Sequence, residues 1–305
     1  MRSILAVLLA LTVFGTGSAH AVQTQILTDD VQRFFKLYDA TRGQPSAAEL
    51  QRDYIDAGSN GLREFIPYRI ISAADLAKEI ANHRGVYDKA RKCANELPNV
   101  TPRLDAAFLK LATLLPDAKF PPVIVVVGRN NSGGTASRAG VLIGLEAVCS
   151  EDWLPSNLED RLVHVIVHEY GHVQQAAGSQ DGNQGPTVLR AALTEGGAEL
   201  IAELASGQIA NPQLLVWTKG HEAAIDRRFL RDADSTDLRP WLFAGPGTPA
   251  KPGDLGYWVG YRICKAYYES HGRTPAALRH ILDIADPHEI LDTSGWRPGM
   301  RLPTT

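Results

Sequence analysis

His168-Glu169-Tyr170-Gly171-His172 places two imidazoles four residues apart, with a carboxylate directly after the first. On a helix this spacing sets both rings on one face a turn apart, where they can share one zinc ion while Glu169 serves as base beside it. The chemistry on offer is zinc-assisted hydrolysis. A catalytic zinc takes three protein ligands and keeps a further position open, so a third donor must come from farther along the chain. The metzincin spacing would need Gly at 175 and His at 178, but Gln175 and Gly178 stand there, and no methionine lies between Met1 and Met300. Glu195, in Thr194-Glu195-Gly196-Gly197-Ala198-Glu199, is the expected third ligand. The two glycines after it would let its helix approach the histidine helix closely. Glu199, one turn on, is expected to accept the free ring N–H of a ligand histidine and fix its tautomer.

The flanking residues supply the elements these side chains need. Ser156 and Glu159 read as a capping box after Pro155, and Leu162, Val163, Ile166, Val167, Tyr170 and Val173 recur at helical spacing up to a stop at Ala176-Ala177-Gly178. A Gly-rich turn over 181–186 precedes a second helix, from Thr187 to Ser206-Gly207. Upstream, Pro121 to Gly128 and Gly140 to Leu145 read as a strand pair joined by a polar loop, Arg129 to Thr135. The second strand is a candidate edge for pairing with extended substrate backbone, an ordinary hairpin being the alternative. The Ser132-Gly133-Gly134-Thr135 turn lacks the lysine and following helix of a phosphate cradle.

With both helices in place, the chain resembles the gluzincins, zinc peptidases with a His-Glu-x-x-His helix and a Glu ligand on the next helix. The resemblance is specific over Leu162 to Gly207, where Glu195-Gly196-Gly197-Ala198-Glu199 is similar to the clan's E-G-x-A-E run. Tyr257-Trp258-Val259-Gly260 is similar to its Tyr-x-x-Gly element, whose tyrosine hydroxyl assists the oxyanion. The resemblance implies that role for Tyr257, with Tyr261 one turn later as the alternative; for both, packing beside Trp258 and Ile263 is the plainer reading. More narrowly, the layout over residues 28 to 295 resembles a bacterial family of predicted zinc-dependent proteases known as a domain of unknown function. The 22 residues between His172 and Glu195 exceed the commonest gluzincin spacings and leave room for a longer interhelical loop. The fold implied is α+β and mostly helical: a gluzincin-like core with a small sheet beside the zinc-binding helix, and a helical N-terminal half.

Other histidines read differently. His164 sits one turn before His168, and three collinear residues over two turns span roughly 12 Å, too far to converge on one ion; it is expected in the second layer or the core. His221 is retained as an alternative oxyanion donor, while His271, His280 and His288 have no partner at ligand spacing.

Residues 22–119 read as a helical subdomain of four helices packed on a catalytic region at 120–305. Thr28-Asp29 opens the first, Ser46 with Glu49 the second, Ser72 with Asp75 the third, and Thr101-Pro102 the fourth. Linkers between the halves are short, and the Pro/Gly-rich stretch Ala244 to Gly256 reads as a loop that either shapes a cleft or merely connects.

Residues 1–21, with Arg2, an apolar run from Ile4 to Phe14 and Ala19-His20-Ala21, form an expected secretory signal peptide cleaved after Ala21. Export to a bacterial periplasm or the exterior follows, with no stable membrane anchor, since the apolar run is too short to span and no longer one follows. Removing Arg2 leaves 30 of 31 basic residues against 34 acidic, moving the net charge from -3 to -4. No basic block offers a nucleic-acid track. Of three cysteines at most one pair can close; Cys93 with Cys149 is the better pairing, because Cys264 lies in an apolar helix pattern. The expected protein is a secreted hydrolase with one zinc per chain, most simply a peptidase acting on peptide or protein substrates. Alternatives are hydrolysis of a non-peptide amide, or a zinc-containing binding protein without turnover, against which an intact Glu169 speaks. Manganese or cobalt could take the same ligands in vitro; oligomeric state is not legible.

Overall fold

Two short apolar runs set the centre of the molecule. The computed structural model describes residues 25–151, 156–175, 185–209, 211–245 and 247–301. In it Val123–Val126 (β2) and Val141–Gly144 (β4) are buried along their whole length, as expected of strands covered on both faces. They pair in parallel, Val123 opposite Val141. The expected strand pair is therefore no hairpin, because the polar loop between its members holds a strand of its own: Gly134–Ala136 (β3) folds back antiparallel on β4 through a turn at Ser137–Gly140. Ile26–Leu27 (β1) adds a parallel strand on the other side, giving the order β1-β2-β4-β3. The edge strands are thus β1 and β3, and the second expected strand is an inner one. A three-residue Gly-Thr-Ala strand carries no apolar alternation, which is why only its surroundings reveal it.

The N-terminal half contains α1 (Asp29–Ala40), α2 (Ala47–Leu50), α3 (Asn60–Phe65), α4 (Ala73–Asn82), α5 (Arg84–Cys93) and α6 (Leu97–Leu114). The Ser46–Glu49 box closes in both directions, and Ser72 caps α4 by accepting from Asp75 N. The count exceeds the four helices expected. α3 was hidden by Pro67, which the chain accommodates by widening the next turn, with Ile71 N donating to Ile66 O at 2.7 Å. α5 buries only Tyr87, Ala90 and Cys93, too thin a stripe to read. α6 begins at Leu97, not at Thr101; its Pro98 falls in the first turn, where the N–H has no intrahelical partner to lose, and Pro102 lies inside it at the cost of one intrahelical bond.

Buried tyrosines join this half to the sheet. Tyr54 donates to Val127 O at 2.7 Å and accepts from Val127 N at 2.9 Å, and Tyr87 donates to Gly128 O at 2.9 Å. Cys93 and Cys149 form a disulfide between α5 and α7 (Leu145–Ser150), with Cα atoms 6.2 Å apart, while Cys264 is a buried free thiol. One apolar core runs from Phe34 and Tyr54 through the sheet to Ile166, Leu193 and Val259.

The C-terminal half adds α8 (Leu158–Gln174), α9 (Val188–Ser206), α10 (Pro212–Trp217), α11 (Glu222–Asp232), α12 (Leu255–Ser270), α13 (Pro275–Asp283) and α14 (Pro287–Thr293). Asn157, not Ser156, caps α8 by accepting from Asp160 N at 2.9 Å; Asn is as good a cap as Ser, and the Asp160 carboxylate pairs with Arg103. α8 ends at Gln174, and the expected stop at 176–178 lies outside the described residues, as do 181–184 and the whole of residues 1–21. Thr187 caps α9 and Gly207, in the left-handed region, ends it.

The helix crossings correct one expectation. α8 meets α9 at Gly171, where a Cβ would stand 2.7 Å from Ala198 Cα. Gly196 instead opens α9 to α12, since its Cβ would fall 2.1 Å from the Gly260 carbonyl carbon. Among the described residues no helix is long and apolar enough to cross a membrane. The fold is α+β and mostly helical, with a small mixed sheet.

Candidate metal centre

α8 and α9 bring three donor atoms together. His168 Nε2 lies 3.1 Å from His172 Nε2, and Glu195 Oε2 lies 3.4 and 3.3 Å from them respectively. In a tetrahedral site with bonds near 2.0 Å, ligand atoms sit roughly 3.3 Å apart. The triangle therefore fits one zinc ion without movement, and two imidazoles with one carboxylate are an open catalytic type of donor set. All three side chains are mostly buried yet line one cleft of about 480 Å³.

Each ring is held by a second partner. His172 Nδ1 lies 2.9 Å from Gln175 Oε1, and Gln175 Nε2 donates to Thr194 O at 2.7 Å. The amide oxygen accepts, so Nδ1 carries the proton and Nε2 is left as a lone pair. His168 Nδ1 lies 3.1 Å from Glu199 Oε1, an ion-pair distance without the in-line geometry of a full hydrogen bond. The other oxygen of Glu199 lies 3.1 Å from His164 Nε2, and His164 Nδ1 is 3.0 Å from Gln208 O. His164, His168 and Glu199 are also close enough to hold an ion. That group shares the His168 ring, and His164 is only 1% exposed with no place in the cleft, so it backs the open triad.

Electrostatics follow this packing. Burial pulls the Glu195 carboxyl up, but the charges of His172 and His168 and their hydrogen bonds outweigh it and hold the pKa down at about 2. Glu199 is likewise held far down by His168 and His164 against its burial. Burial lowers the imidazoles, yet the facing carboxylates win: Glu199 and Glu195 raise His168, and Glu195 raises His172. Burial pushes the Glu169 carboxyl up, with His172 and His168 opposing.

Glu169 faces the edge strand: a Cβ on Gly134 would stand 2.5 Å from its Oε1. Tyr257, on the first turn of α12, lines the same cleft, and burial together with Glu195 raises its pKa. The Phe243 ring, just ahead of the 244–256 stretch, packs edge-on against it at 6.1 Å and lines the cleft, whereas no described residue of that stretch does. Tyr261 is turned elsewhere: its hydroxyl donates to Glu203 Oε2 at 2.7 Å and accepts from Lys265 Nζ at 3.1 Å, in a buried cluster. His221 is exposed ahead of α11 and does not line the cleft. Reading residues in order missed three contributors. Gln175 was legible as the i+3 neighbour of His172, but Gly134 and Arg69, both on the cleft wall, are brought in by tertiary folding.

Comparison with curated proteins gives no match, and neither does comparison with solved structures. A family model described as Predicted Zn-dependent protease (DUF2268) matches residues 131–286, which is 156 of the 305 residues and holds β3, all three donors, Glu169 and Tyr257. The chain belongs to this family of predicted zinc-dependent proteases.

Proposed function

We propose that the protein is an exported zinc peptidase of gluzincin type, with one zinc per chain on His168, His172 and Glu195 and with Glu169 as general base. The observation that carries this reading is the triangle of 3.1, 3.3 and 3.4 Å formed by the three donor atoms, open to a cleft that also holds Glu169. Bound there, zinc would supply a Lewis acid that acidifies water and polarises a carbonyl. Glu169, raised by burial, is suited to take a proton from the attacking water and return it to the leaving amine. The Tyr257 hydroxyl, which has no hydrogen-bond partner among the described residues, is free to donate to the carbonyl oxygen as charge develops. Gln175 and Glu199 orient the two imidazoles. The unpaired edge of β3, beside Glu169, can add an extended backbone strand, which favours peptides over other amides. Export is the reading of residues 1–21.

The test is metal content and cleavage of a mixed peptide library by the purified protein beside Glu169→Gln. One zinc in both proteins, with cleavage only by the wild type, is expected. Zinc in both without any cleavage moves the reading to a non-peptide amide or a binding role, and absence of zinc sinks the ligand assignment.

A further inference from the structure

Among the described residues that line the cleft, Arg69 is the only lysine or arginine. It comes from the widened turn Ile66–Ile70 of the helical half, outside the stretch matched by the family. The side chain is anchored at its near end: Nε donates to Ser132 Oγ at 3.3 Å, and the same hydroxyl donates to Gly134 O at 3.1 Å. Ser132 thus couples Arg69 to the edge strand beside Glu169. The guanidinium carbon stands 6.0 Å from the centre of the Phe65 ring, and the Arg69 carbonyl accepts from Arg129 Nε at 2.9 Å. The two terminal nitrogens have no protein partner among the described residues, which leaves the face of the fork that fits a carboxylate available. Nearby backbone is held out of its ordinary range, with Ile71 at φ 68° and Phe243, on the cleft wall, at φ 62°. A β-branched and an aromatic residue hold such angles only where the surroundings force them, a pattern that clusters at ligand sites. Glu169 and Glu195 would repel an incoming carboxylate, so apart from the proposed metal position Arg69, whose charge also reaches Glu169, is the point of the cleft that attracts one.

We infer that Arg69 is a receptor for a substrate carboxylate, so that the cleft selects peptides carrying a C-terminal or side-chain carboxylate close to the scissile bond. This rests on the peptidase reading of the site, and its test is therefore made without turnover. The purified zinc-loaded Glu169→Gln protein is titrated by fluorescence polarisation with three labelled hexapeptides. One is neutral and amidated, one is identical but ends in a free carboxylate, and one is amidated with a single internal Glu. At least one acidic peptide is expected to bind about ten-fold tighter than the neutral one, and which of the two benefits identifies the source of the carboxylate. Adding Arg69→Gln erases that preference, read as the ratio of acidic to neutral peptide affinity, while Arg69→Lys keeps part of it, retaining charge but not the planar fork. Should Arg69→Gln also weaken the neutral peptide, a partial preference in Arg69→Lys is still required. Equal binding of all three peptides, binding of none, or a preference that survives Arg69→Gln overturns the inference. Failure of the peptidase reading is recognised separately, as a wild-type protein that binds acidic peptides through Arg69 yet cleaves nothing.

Discussion

Gly134 lies so close to Glu169 that a single methyl on its Cα would stand 2.5 Å from the carboxylate oxygen and 2.6 Å from Cγ. The edge strand and the proposed base are therefore packed as one unit. Gly134→Ala is expected to displace the Glu169 side chain while leaving zinc in place, because the metal ligands lie on α8 and α9. A misplacement near 1 Å at a reacting group lowers turnover about a hundred-fold. Steady-state kinetics with metal analysis checks this, and a variant with wild-type kcat would refute the packing argument.

The rings of His172 and His168 are oriented by Gln175 and Glu199 at 2.9 and 3.1 Å. Gln175→Leu and Glu199→Gln should each weaken zinc binding by about ten- to a hundred-fold, the usual effect of losing such partners. Competition against a chelating dye measures it; affinities within two-fold of wild type would mean that the rings are held by packing alone.

Tyr257 and Tyr261 sit one turn apart on α12 and separate cleanly by environment. Tyr257→Phe is expected to lower kcat about a hundred-fold with KM little changed, as for loss of one oxyanion donor. Tyr261→Phe instead strips a hydroxyl from the buried Glu203–Lys265 pair and should reduce stability by about 1–3 kcal/mol with kcat near wild type. The reverse pattern would exchange their roles.

Glu146 is completely buried; its Oε1 accepts from Asn130 N at 3.0 Å and its Oε2 has no partner. Burial raises its pKa to about 7, with the Gly128 and Asn130 amides pulling the other way. The folded chain thus holds this proton more tightly than the unfolded chain. The stabilisation is fully present below the ordinary carboxylate pKa and is lost as pH rises through about 7. Glu146→Gln, which cannot ionise, should flatten the decline in urea stability between pH 5 and 8 by up to about 3 kcal/mol. An unchanged slope would show that Glu146 does not titrate in this range.

The local signals of this chain were strong where one helix carries its own information. His168, Glu169 and His172 share a helix whose apolar stripe is visible in order, and Thr187, Gly207 and the Ser46–Glu49 box mark ends that lie within hydrogen-bonding reach of neighbours a few residues away. Family membership and the mostly helical α+β class were likewise within reach of the sequence, as was the Cys93–Cys149 pair, by elimination of a thiol in an apolar helix. What only the tertiary structure decided depends on contacts between residues distant in the chain. The parallel pairing of β2 with β4, the emergence of β3 as the edge beside Glu169, and the choice of Tyr257 over Tyr261 as the tyrosine facing the cleft are such cases. So are the use of Gly171 rather than Gly196 to bring α8 and α9 together, and the arrival of Arg69 from the other half of the molecule. Periodicity reports which face of an element is buried, but not against what. Strand direction, helix crossing points and the walls of a cleft are settled by packing, which local sequence does not encode.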